Sequence, residues 1–575
     1  MRQQQPAYEQ ALRLDPSLTA IHYNLGYARL NQGLLDEAIA HLRYATERLP
    51  THADSHLSLG VALLRKNEID PAIAVYRSAL ERFPNYAPLW NNLGNARKAK
   101  EDFDGSVRAY REALRCSPAD ALALNNLADA LLNLGLAGDA AACFRRSLDE
   151  NPDLAEAHSN LIFAMGLDPS YGLEAIAAEC RRWWRHHGEP LRVKDVSFSN
   201  TRIPNRPLRV GYVSPDFREH PLGRHILPAI RMHDRTQFEI VCYADVEQPD
   251  EMTAQFRSSP VRWHDSGSWT DSQLAGQVRR DEIDILVDLS LHSAGNRLRA
   301  FARQPAPVQV SFAGYPGSTG VETIGYRLTD RFLDPPGVLN PFPDEPVRLP
   351  DSFWCFSPTE QPPPVNDLPA KETGVVTFGC LSKFTKVNPL VMGWWCEILR
   401  RVPNSRFMLL CPAGSARARV AAAFEACGIT QARIEFADRQ LRPAYLAAYH
   451  RIEIALDPFP YNGHMTTCDA LWMGVPVVSL AGGTHVSRGG LSMLSHIGLP
   501  ELAATTPECY VQIAVDLAND LPRLAALRGG LRERMQSSPL MDAARFTRGL
   551  EAAYRAIWRR WCMGENPAPA SEGAP

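Results

Sequence analysis

The first third of the chain repeats with a period of 34 residues, and this period constrains the fold more than any other feature of the sequence. Four positions recur in register: a proline, a small residue, an alanine or serine, and an aromatic residue or leucine. The columns are Pro16, Pro50, Pro84, Pro118 and Pro152; Gly26, Gly60, Gly94 and Ala128; Ala11, Ala45, Ala79, Ala113 and Ser147; and Tyr8, Leu42, Tyr76, Tyr110 and Phe144. Glycine lets two helices approach closely and proline ends a helix, so the pattern predicts stacked helix pairs.

A period of this length is typical of tetratricopeptide repeats, which stack into a superhelix with a concave binding face. We expect this solenoid over residues 1–188. The segment up to Arg13 fits the second helix of a repeat, which suggests that the natural start lies upstream of Met1.

Asparagine dominates a fifth column, on the first helix of each pair, where it would line the concave groove. The column reads Asn24, Ser58, Asn92, Asn126 and Asn160. Asparagine is both a donor and an acceptor, so a ladder of such side chains can pair with the backbone of an extended peptide. A simpler interpretation is that these residues cap or solvate a helix face. We favour the peptide groove because asparagine is a poor former of helix interiors and still recurs.

Beyond residue 206, short apolar segments alternate with helical patterns. The segments are 208–213, 238–244, 283–289 and 308–313, followed by 375–378, 406–411, 452–456 and 475–480. This alternation predicts parallel sheets covered by helices on both faces. The expected fold class is α plus α/β, with a tetratricopeptide superhelix followed by two Rossmann-like, doubly wound lobes. The expected boundaries are 189–206 for a linker, 207–355 and 370–562 for the lobes, and 563–575 for a disordered tail.

Composition excludes several classes of function. The net charge of −3 provides no basic field for nucleic acid or an anionic membrane, so a phosphate-bearing ligand needs a local site. No apolar run reaches the roughly 18 residues that span a bilayer, and residues 1–8 are too polar for a secretory signal. The 12 scattered cysteines, without a C-x-x-C pair, favour a reduced, cytoplasmic protein.

Four loops at expected strand ends carry residues suited to chemistry: 214–221, 288–295, 378–386 and 457–472. Ligands of doubly wound sheets bind beyond the carboxyl ends of the strands, here in a cleft between lobes. In the last loop, Gly463 precedes Thr466 and Thr467, which stand where a helix begins. The free N–H groups of such a helix end bind a diphosphate, and Asp469 can accept hydrogen bonds from ribose hydroxyls. A plain capped helix is the alternative interpretation.

Lys386 follows another strand end, and a lysine beside a diphosphate neutralises the charge that grows on a departing nucleotide. By itself it would be interpreted as a surface lysine, but its loop lies where the cleft is expected. Lys383 is a second candidate for neutralising the charge of the diphosphate.

His220 and His292 follow separate strands of the first lobe, and Asp288 shares a loop with His292. Histidine is the usual general base near neutral pH, so two histidines on such loops suggest a role in the cleft. A lone histidine is more often structural, and that interpretation stays open for each of them. None of the four loops carries a D-x-D pair, so we expect no cofactor and no obligatory divalent ion.

Longer motifs in these regions resemble a known family. They are residues 208–214, 216–221, 284–289, 305–310 and 314–317 in the first lobe, and 378–386, 456–463, 467–476 and 487–488 in the second. These segments resemble glycosyltransferase family 41, the O-linked N-acetylglucosamine transferases with the GT-B fold. The lack of an insert between the lobes resembles bacterial members.

The resemblance implies an inverting, metal-independent transfer of N-acetylglucosamine from UDP-N-acetylglucosamine to serine or threonine hydroxyls of proteins. It implies that His220 is an active-site histidine, with the group that takes the acceptor proton left open between a side chain and a phosphate of the donor. It implies that Asp288 and His292 line the sugar and acceptor region and that Lys386 is the diphosphate lysine essential for activity. The implied nucleotide-sugar site comprises Lys383, Arg442, His464, Met465, Thr466, Thr467, Asp469, Gly314 and Pro316. The implied acceptor ladder comprises Asn24, Asn92, Asn126 and Asn160. The expected partners are a UDP-sugar and acceptor proteins held by the groove, with no nucleic acid and no membrane.

Three residues depart from the family's pattern. Met465 replaces a usual threonine, Lys383 a polar amide, and Thr385 an aromatic residue. The donor can therefore differ, for example GDP-fucose as in the related SPINDLY group. A third interpretation is a repeat scaffold with inactive lobes, which the retained lysine, histidine and aspartate of the expected site argue against.

Overall fold

The computed structural model describes residues 5–193, 196–358, 362–565 and 567. These residues form two compact units. The first comprises the chain up to Ala157 together with Pro412–Ala416, and the second comprises the chain from His158 onward without that short segment. Residues 158–188, which we expected in the solenoid, therefore belong to the second unit. Most of the expected tail, residues 566 and 568–575, lies outside the described residues.

Paired helices build the first unit, as the 34-residue period predicts. They are α1 (Gln5–Leu14), α2 (Thr19–Gln32), α3 (Leu35–Arg48), α4 (Ala53–Arg65), α5 (Ile69–Arg82), α6 (Ala87–Ala99), α7 (Phe103–Cys116), α8 (Ala121–Asn133) and α9 (Ala137–Glu150). The glycine and aromatic columns meet inside each pair. A Cβ at Gly60 would lie 2.3 Å from the Tyr76 ring, and one at Gly94 would lie 2.3 Å from the Tyr110 ring. Any larger residue would therefore separate the two helices.

Helical segments also open the second unit. They are α10 (Ala155–Met165), whose first residues precede the unit boundary, α11 (Leu173–Trp183), a π-helical turn at Trp184–Gly188 and a 3-10 turn at Glu189–Leu191. Among the described residues, no helix combines the length and apolarity needed to cross a membrane.

The first lobe is built on a seven-stranded parallel sheet with the strand order β3-β2-β1-β4-β5-β6-β7. Its elements are β1 (Leu208–Ser214), α12 (Pro221–Met232), β2 (Phe238–Ala244), α13 (Glu251–Arg257), β3 (Arg262–Asp265), α14 (Asp271–Arg280), β4 (Ile285–Asp288), α15 (Leu298–Phe301), β5 (Val308–Ser311), β6 (Tyr326–Thr329) and β7 (Glu345–Arg348). The order reverses between β1 and β4, which is where such sheets open a crevice.

The second lobe is built on a six-stranded parallel sheet with the order β10-β9-β8-β11-β12-β13. Its elements are α16 (Ala370–Thr373), β8 (Val376–Cys380), α17 (Pro389–Arg401), β9 (Ser405–Leu410), α18 (Ser415–Ala426), β10 (Ile434–Ala437), α19 (Arg442–Ala448), β11 (Ile454–Leu456), α20 (Met465–Trp472), β12 (Val477–Leu480), α21 (Gly489–His496), β13 (Ala503–Ala504), α22 (Pro507–Asn519) and α23 (Leu521–Gln536). The last helix of the chain is α24 (Ala543–Met563). The predicted pair of doubly wound lobes is confirmed, and the crevice of this sheet opens between β8 and β11.

Helix α24 follows the second lobe in sequence but packs on the first, although we expected it within the second. The Tyr554 hydroxyl lies 3.2 Å from that of Tyr212 on β1. Glu551 Oε1 lies 3.0 Å from Nδ1 of His233, which follows α12. The final helix therefore crosses back and ties the two lobes together.

Candidate functional site

The candidate site lies at the crevice of the second sheet. A 3-10 turn at Phe384–Lys386 follows β8, and the loop of residues 457–464 joins β11 to α20. Strands β8 and β11 are direct neighbours, paired at Phe378 and Ile454. Because parallel strands end at the same edge of a sheet, the two loops meet there.

Lys386 and the loop before α20 are in direct contact. The Lys386 Nζ donates a hydrogen bond to the Asn462 carbonyl at 2.7 Å. The Ser382 and Thr466 hydroxyls lie 3.1 Å apart. Burial lowers the pKa of Lys386 to about 8. The structure thus brings together the amine and the helix end that we expected to bind a diphosphate.

A buried carboxylate, that of Asp457, holds the turn before α20. Its oxygens accept hydrogen bonds from the Gly463 N–H at 3.2 Å, the Thr467 hydroxyl at 3.0 Å and the Ser479 hydroxyl at 2.8 Å. Burial raises the pKa of Asp457 to about 6. The Thr467 hydroxyl therefore donates inward, while Thr466 stays partly exposed.

No side chain caps the start of α20. The first N–H groups of a helix have no partner within the helix, so this end can receive an anion. Met465 is buried and adds no polar side-chain group. Backbone N–H groups and the Thr466 hydroxyl are therefore the available donors.

His464 immediately precedes α20, on the loop that we expected to bind phosphate. The ring packs against Trp354 and Tyr461, with centroids 5.4 and 5.0 Å away. Its Nε2 has no hydrogen-bond partner among the described residues. Burial and the nearby Lys386 hold its pKa well below the usual range, so the imidazole is neutral near pH 7. A neutral ring beside the lysine shapes the loop without adding positive charge.

Arg442 and Asp469 are paired with each other. Both guanidinium nitrogens donate to the carboxylate at 2.5 Å, and the Asp469 side chain is 2 % exposed. A ribose hydroxyl that bonds to Asp469 would therefore share the carboxylate with Arg442. Two tyrosines extend the network: the Tyr445 and Tyr449 hydroxyls lie 2.9 Å apart, and Tyr449 donates to the Thr466 carbonyl at 3.2 Å.

His220 lies at the start of α12 in the first lobe, with its side chain 41 % exposed. Its Nδ1 accepts a hydrogen bond from the Leu222 N–H at 3.3 Å, and Asp216 Oδ2 lies 3.4 Å away. Burial lowers the pKa of His220 and the Asp216 carboxylate opposes this, while the positive charges of Arg218, Arg224 and Lys383 lower the pKa further. The role of His220 in the active site stays a prediction.

His292 and Asp288 do not line an open cleft. The ring of His292 is fully buried, with Nδ1 3.1 Å from Ser159 Oγ and Nε2 2.8 Å from the Thr319 carbonyl. Asp288 is also buried and accepts the backbone N–H groups of Ser290 and Leu291. Burial lowers the pKa of His292 to about 4 and raises that of Asp288 to about 7. Both ring nitrogens of His292 therefore have protein partners, and its place in the sugar and acceptor region stays a prediction.

Gly314 and Pro316 lie on the loop after β5. A Cβ at Gly314 would come within 2.7 Å of the Leu289 carbonyl, so only glycine fits against the loop after β4. Pro316 is buried. Neither residue has a polar side chain, so a nucleotide-sugar would contact them through backbone groups or by van der Waals packing against the loop.

The asparagine column is divided between the two units. Asn24, Asn92 and Asn126 are half-buried on α2, α6 and α8 of the first unit. The Asn92 amide donates to the Pro88 carbonyl at 2.9 Å, and the Asn126 amide donates to Asn91 Oδ1 at 3.0 Å. Asn160 lies on α10 within the second unit. The peptide-binding role of the column stays a prediction.

Asp457, Tyr461 and the Tyr445–Tyr449 pair contact the predicted site residues but were not among them. A carboxylate directly after an apolar strand was a usable signal for Asp457. The tyrosines four residues apart on α19 also form a recognisable helical pair. Within the described parts of the chain, no three histidine, cysteine or acidic side chains cluster as metal ligands. The absence of a metal requirement stays a prediction.

Two parallel, doubly wound lobes with an uncapped helix end and a lysine at the crevice define a glycosyltransferase of the GT-B class. The chain belongs to glycosyltransferase family 41, whose pattern matches residues 186–357 and 367–550. Tetratricopeptide repeats match residues 5–53, 23–87 and 91–155.

Relatives cover different shares of the chain. A solved structure of a mutant Thermobaculum terrenum O-GlcNAc transferase is 34 % identical, covers 90 % of this chain and 99 % of that one, and has a TM-score of 0.84. The probable UDP-N-acetylglucosamine–peptide N-acetylglucosaminyltransferase SPINDLY of Solanum lycopersicum is 38 % identical over 426 residues, which are 73 % of this chain and 46 % of that protein. The corresponding SEC protein of Arabidopsis thaliana is 32 % identical over 373 residues, covering 63 % and 38 %. The chain thus spans less than half the length of these two curated relatives.

Proposed function

We propose that the protein transfers N-acetylglucosamine from UDP-N-acetylglucosamine to serine or threonine hydroxyls of proteins, with inversion and without a metal ion. The names of the relatives above, which describe peptide N-acetylglucosaminyltransferases and an O-GlcNAc transferase, support this activity. Acceptor proteins would bind along the asparagine column of the repeats. A cytoplasmic location fits the free cysteines of the described chain.

One observation carries the proposal: the Lys386 amine meets the loop that leads into the uncapped end of α20. A helix N-terminus and an ammonium group together stabilise the negative charge of a diphosphate. That charge grows as a nucleotide departs, so these groups favour the transition state over the bound substrate.

In the proposed reaction, the acceptor oxygen forms a bond to the anomeric carbon while the bond from that carbon to the β-phosphate oxygen breaks. The electron pair leaves with UDP, and Lys386 and the N–H groups of α20 stabilise the new charge. The acceptor proton passes to a phosphate oxygen of the departing UDP. Attack opposite the leaving group inverts the anomeric centre.

We assign His220 to orientation of the substrates. Its Nδ1 lies 3.3 Å from the Leu222 backbone nitrogen and 3.4 Å from Asp216 Oδ2, so both groups hold the ring in place at the start of α12. In the proposed reaction a phosphate oxygen takes the acceptor proton, so no base is required of this histidine.

The test is transfer by the purified protein from UDP-N-acetylglucosamine to serine- and threonine-containing peptides, followed by mass spectrometry and β-elimination. GDP-fucose is supplied in a parallel reaction, and both reactions are repeated with a chelator. We expect N-acetylhexosamine on hydroxyl side chains, with the chelator having no effect. Fucose on the peptides would replace the proposed donor, and no transfer from either donor would support the scaffold interpretation.

A further inference from the structure

The ring of Tyr461 lies over the amine of Lys386. The Lys386 Nζ is 4.2 Å from the ring centroid. The same amine donates to the carbonyl of the next residue, Asn462, at 2.7 Å. Two consecutive residues of the loop after β11 therefore give the lysine an aromatic face and a carbonyl.

Asn462 is held rigidly in the second lobe. It is fully buried, and its side-chain amide donates to the Pro458 carbonyl at 3.0 Å. Its backbone N–H donates to the Val486 carbonyl at 3.1 Å, and its Oδ1 accepts from the Gly490 N–H at 3.2 Å. The carbonyl that receives the lysine therefore has little freedom to turn away.

The ring of Tyr461 is enclosed by aromatic side chains from three parts of the second unit. Phe163 on α10, Tyr315 after β5 and His464 before α20 have ring centroids 6.1, 6.4 and 5.0 Å away. Phe163 and Tyr315 also meet edge to face at 5.8 Å. Tyr461 is only 7 % exposed, so its ring cannot swing aside without opening this cluster.

Opposing effects act on the charge of the amine. Burial and the Lys383 ammonium favour its neutral form, whereas the Asp457 carboxylate favours its charged form. The His464 imidazole on the same loop is neutral. An aromatic face attracts a cation through its quadrupole, so the Tyr461 ring acts together with Asp457.

We propose that Tyr461 is a positioning residue for Lys386. Its ring face, fixed by Phe163, Tyr315 and His464, holds the amine against the Asn462 carbonyl. The ring also keeps the amine positively charged, so that the amine can stabilise the departing diphosphate. The catalytic consequence rests on the proposed function, whereas the effect of the ring on the amine can be measured without any substrate.

The first experiment measures the pH dependence with which acetic anhydride acetylates Lys386, using mass spectrometry of the full chain after digestion. In Tyr461→Leu the titration midpoint of Lys386 falls by about half to one pH unit, because the cation–π attraction is lost. In Tyr461→Phe, which keeps the ring, the midpoint stays near that of the wild type. Trp263→Leu, which removes a cation–π contact with Arg257 in the first lobe, is the matched control.

A second series keeps the shape of the site in case the leucine variant does not fold. Phenylalanine analogues with increasing ring fluorination at position 461 weaken the quadrupole stepwise and barely change packing. The Lys386 midpoint is expected to fall with each added fluorine. A midpoint that stays constant across this series overturns the inference.

Kinetics separate this inference from the proposed function. In Tyr461→Leu the alkaline limb of the pH profile of kcat shifts to lower pH together with the labelling midpoint. In Tyr461→Phe the alkaline limb stays at its wild-type position. A labelling shift in a protein that transfers no sugar would reject the proposed function and leave the Tyr461–Lys386 coupling intact. A shift in labelling without a shift in the kcat profile would overturn the catalytic consequence.

Discussion

The guanidinium of Arg442 and the carboxylate of Asp469 form a bidentate ion pair with both donor–acceptor distances at 2.5 Å. The Asp469 side chain is 2 % exposed and that of Arg442 is 17 % exposed. Breaking such a pair from one side leaves a charge buried without its partner, which is costly.

We expect Arg442→Ala to lower the free energy of unfolding of the second lobe by about 3–5 kcal/mol, because Asp469 loses its buried counter-charge. Chemical denaturation followed by tryptophan fluorescence measures the change. Arg451→Ala in the same lobe is the control, since its partner Glu435 is exposed and such pairs contribute about 1 kcal/mol or less. Equal losses in the two variants would contradict the prediction.

Lys386→Ala is expected to lower kcat by about 100- to 1,000-fold, because the charge on the departing nucleotide is no longer neutralised. Steady-state kinetics with UDP-N-acetylglucosamine provide the measurement, and circular dichroism verifies the fold. Lys371→Ala, at an exposed lysine of the same lobe, is the control. Turnover close to that of the wild type would rule out the assigned role.

Asp288 makes stability depend on pH. Burial raises its pKa to about 7, so the folded chain keeps a proton that the unfolded chain releases near pH 4. The contribution of protonated Asp288 to the free energy of unfolding is therefore complete below pH 4 and is lost as the pH rises through 7. Melting temperatures between pH 5 and 8 should fall less steeply in Asp288→Asn than in the wild type. Parallel curves for the two proteins would refute this.

His292 has the opposite dependence. Burial lowers its pKa to about 4, so the unfolded chain binds a proton below about pH 6.5 that the folded chain does not. Stability from this group is present above pH 6.5 and is lost as the pH falls toward 4. His292→Gln should cost about 1–3 kcal/mol at pH 7.5, through disturbed hydrogen bonds to Ser159 and Thr319, and should lose less on acidification. Denaturant titrations at pH 7.5 and at an acidic pH between 4 and 6.5 test both effects.

Replacing Asn92 and Asn126 together by alanine should raise KM for long acceptors by about tenfold, because two amides of the proposed peptide ladder are lost. The Kd for UDP, measured by calorimetry, should not change. Asn133→Ala on α8 is the control, because this asparagine lies outside the column although its amide, like that of Asn92, donates to its own helix. An unchanged KM in the double variant would remove the groove hypothesis.

The repeats and the central strands could be predicted because each has a dense apolar or glycine pattern. Strand β6 was missed although it is buried, because its four residues Tyr-Arg-Leu-Thr form no continuous apolar run. Strands β3, β7 and β10 were missed because they are polar or only half-buried, and β7 contains Pro346. Outer strands of a sheet lack a continuous apolar run, so periodicity does not reveal them. Strand β13, with two residues, is too short for any pattern.

The site was predictable where function depends on backbone position and less so where it depends on side-chain partners. Lys386 and the start of α20 follow strand ends, which the topology alone brings together. The partners of His292 on α10 and at Thr319 are distant in sequence, so no local pattern could show that its ring is buried. Tyr461 was missed because its role depends on the ring cluster around it.

Helix α10 carries an evolutionary consequence. His158 and Ser159 on this helix contact Glu179 and His292, so side chains of α10 form part of the interior of the second unit. Recombination that exchanges repeat arrays between genes therefore keeps these contacts only if the crossover falls upstream of residue 155. The repeats before that point can vary in sequence without loss of these contacts, whereas α10 must be inherited together with the lobes.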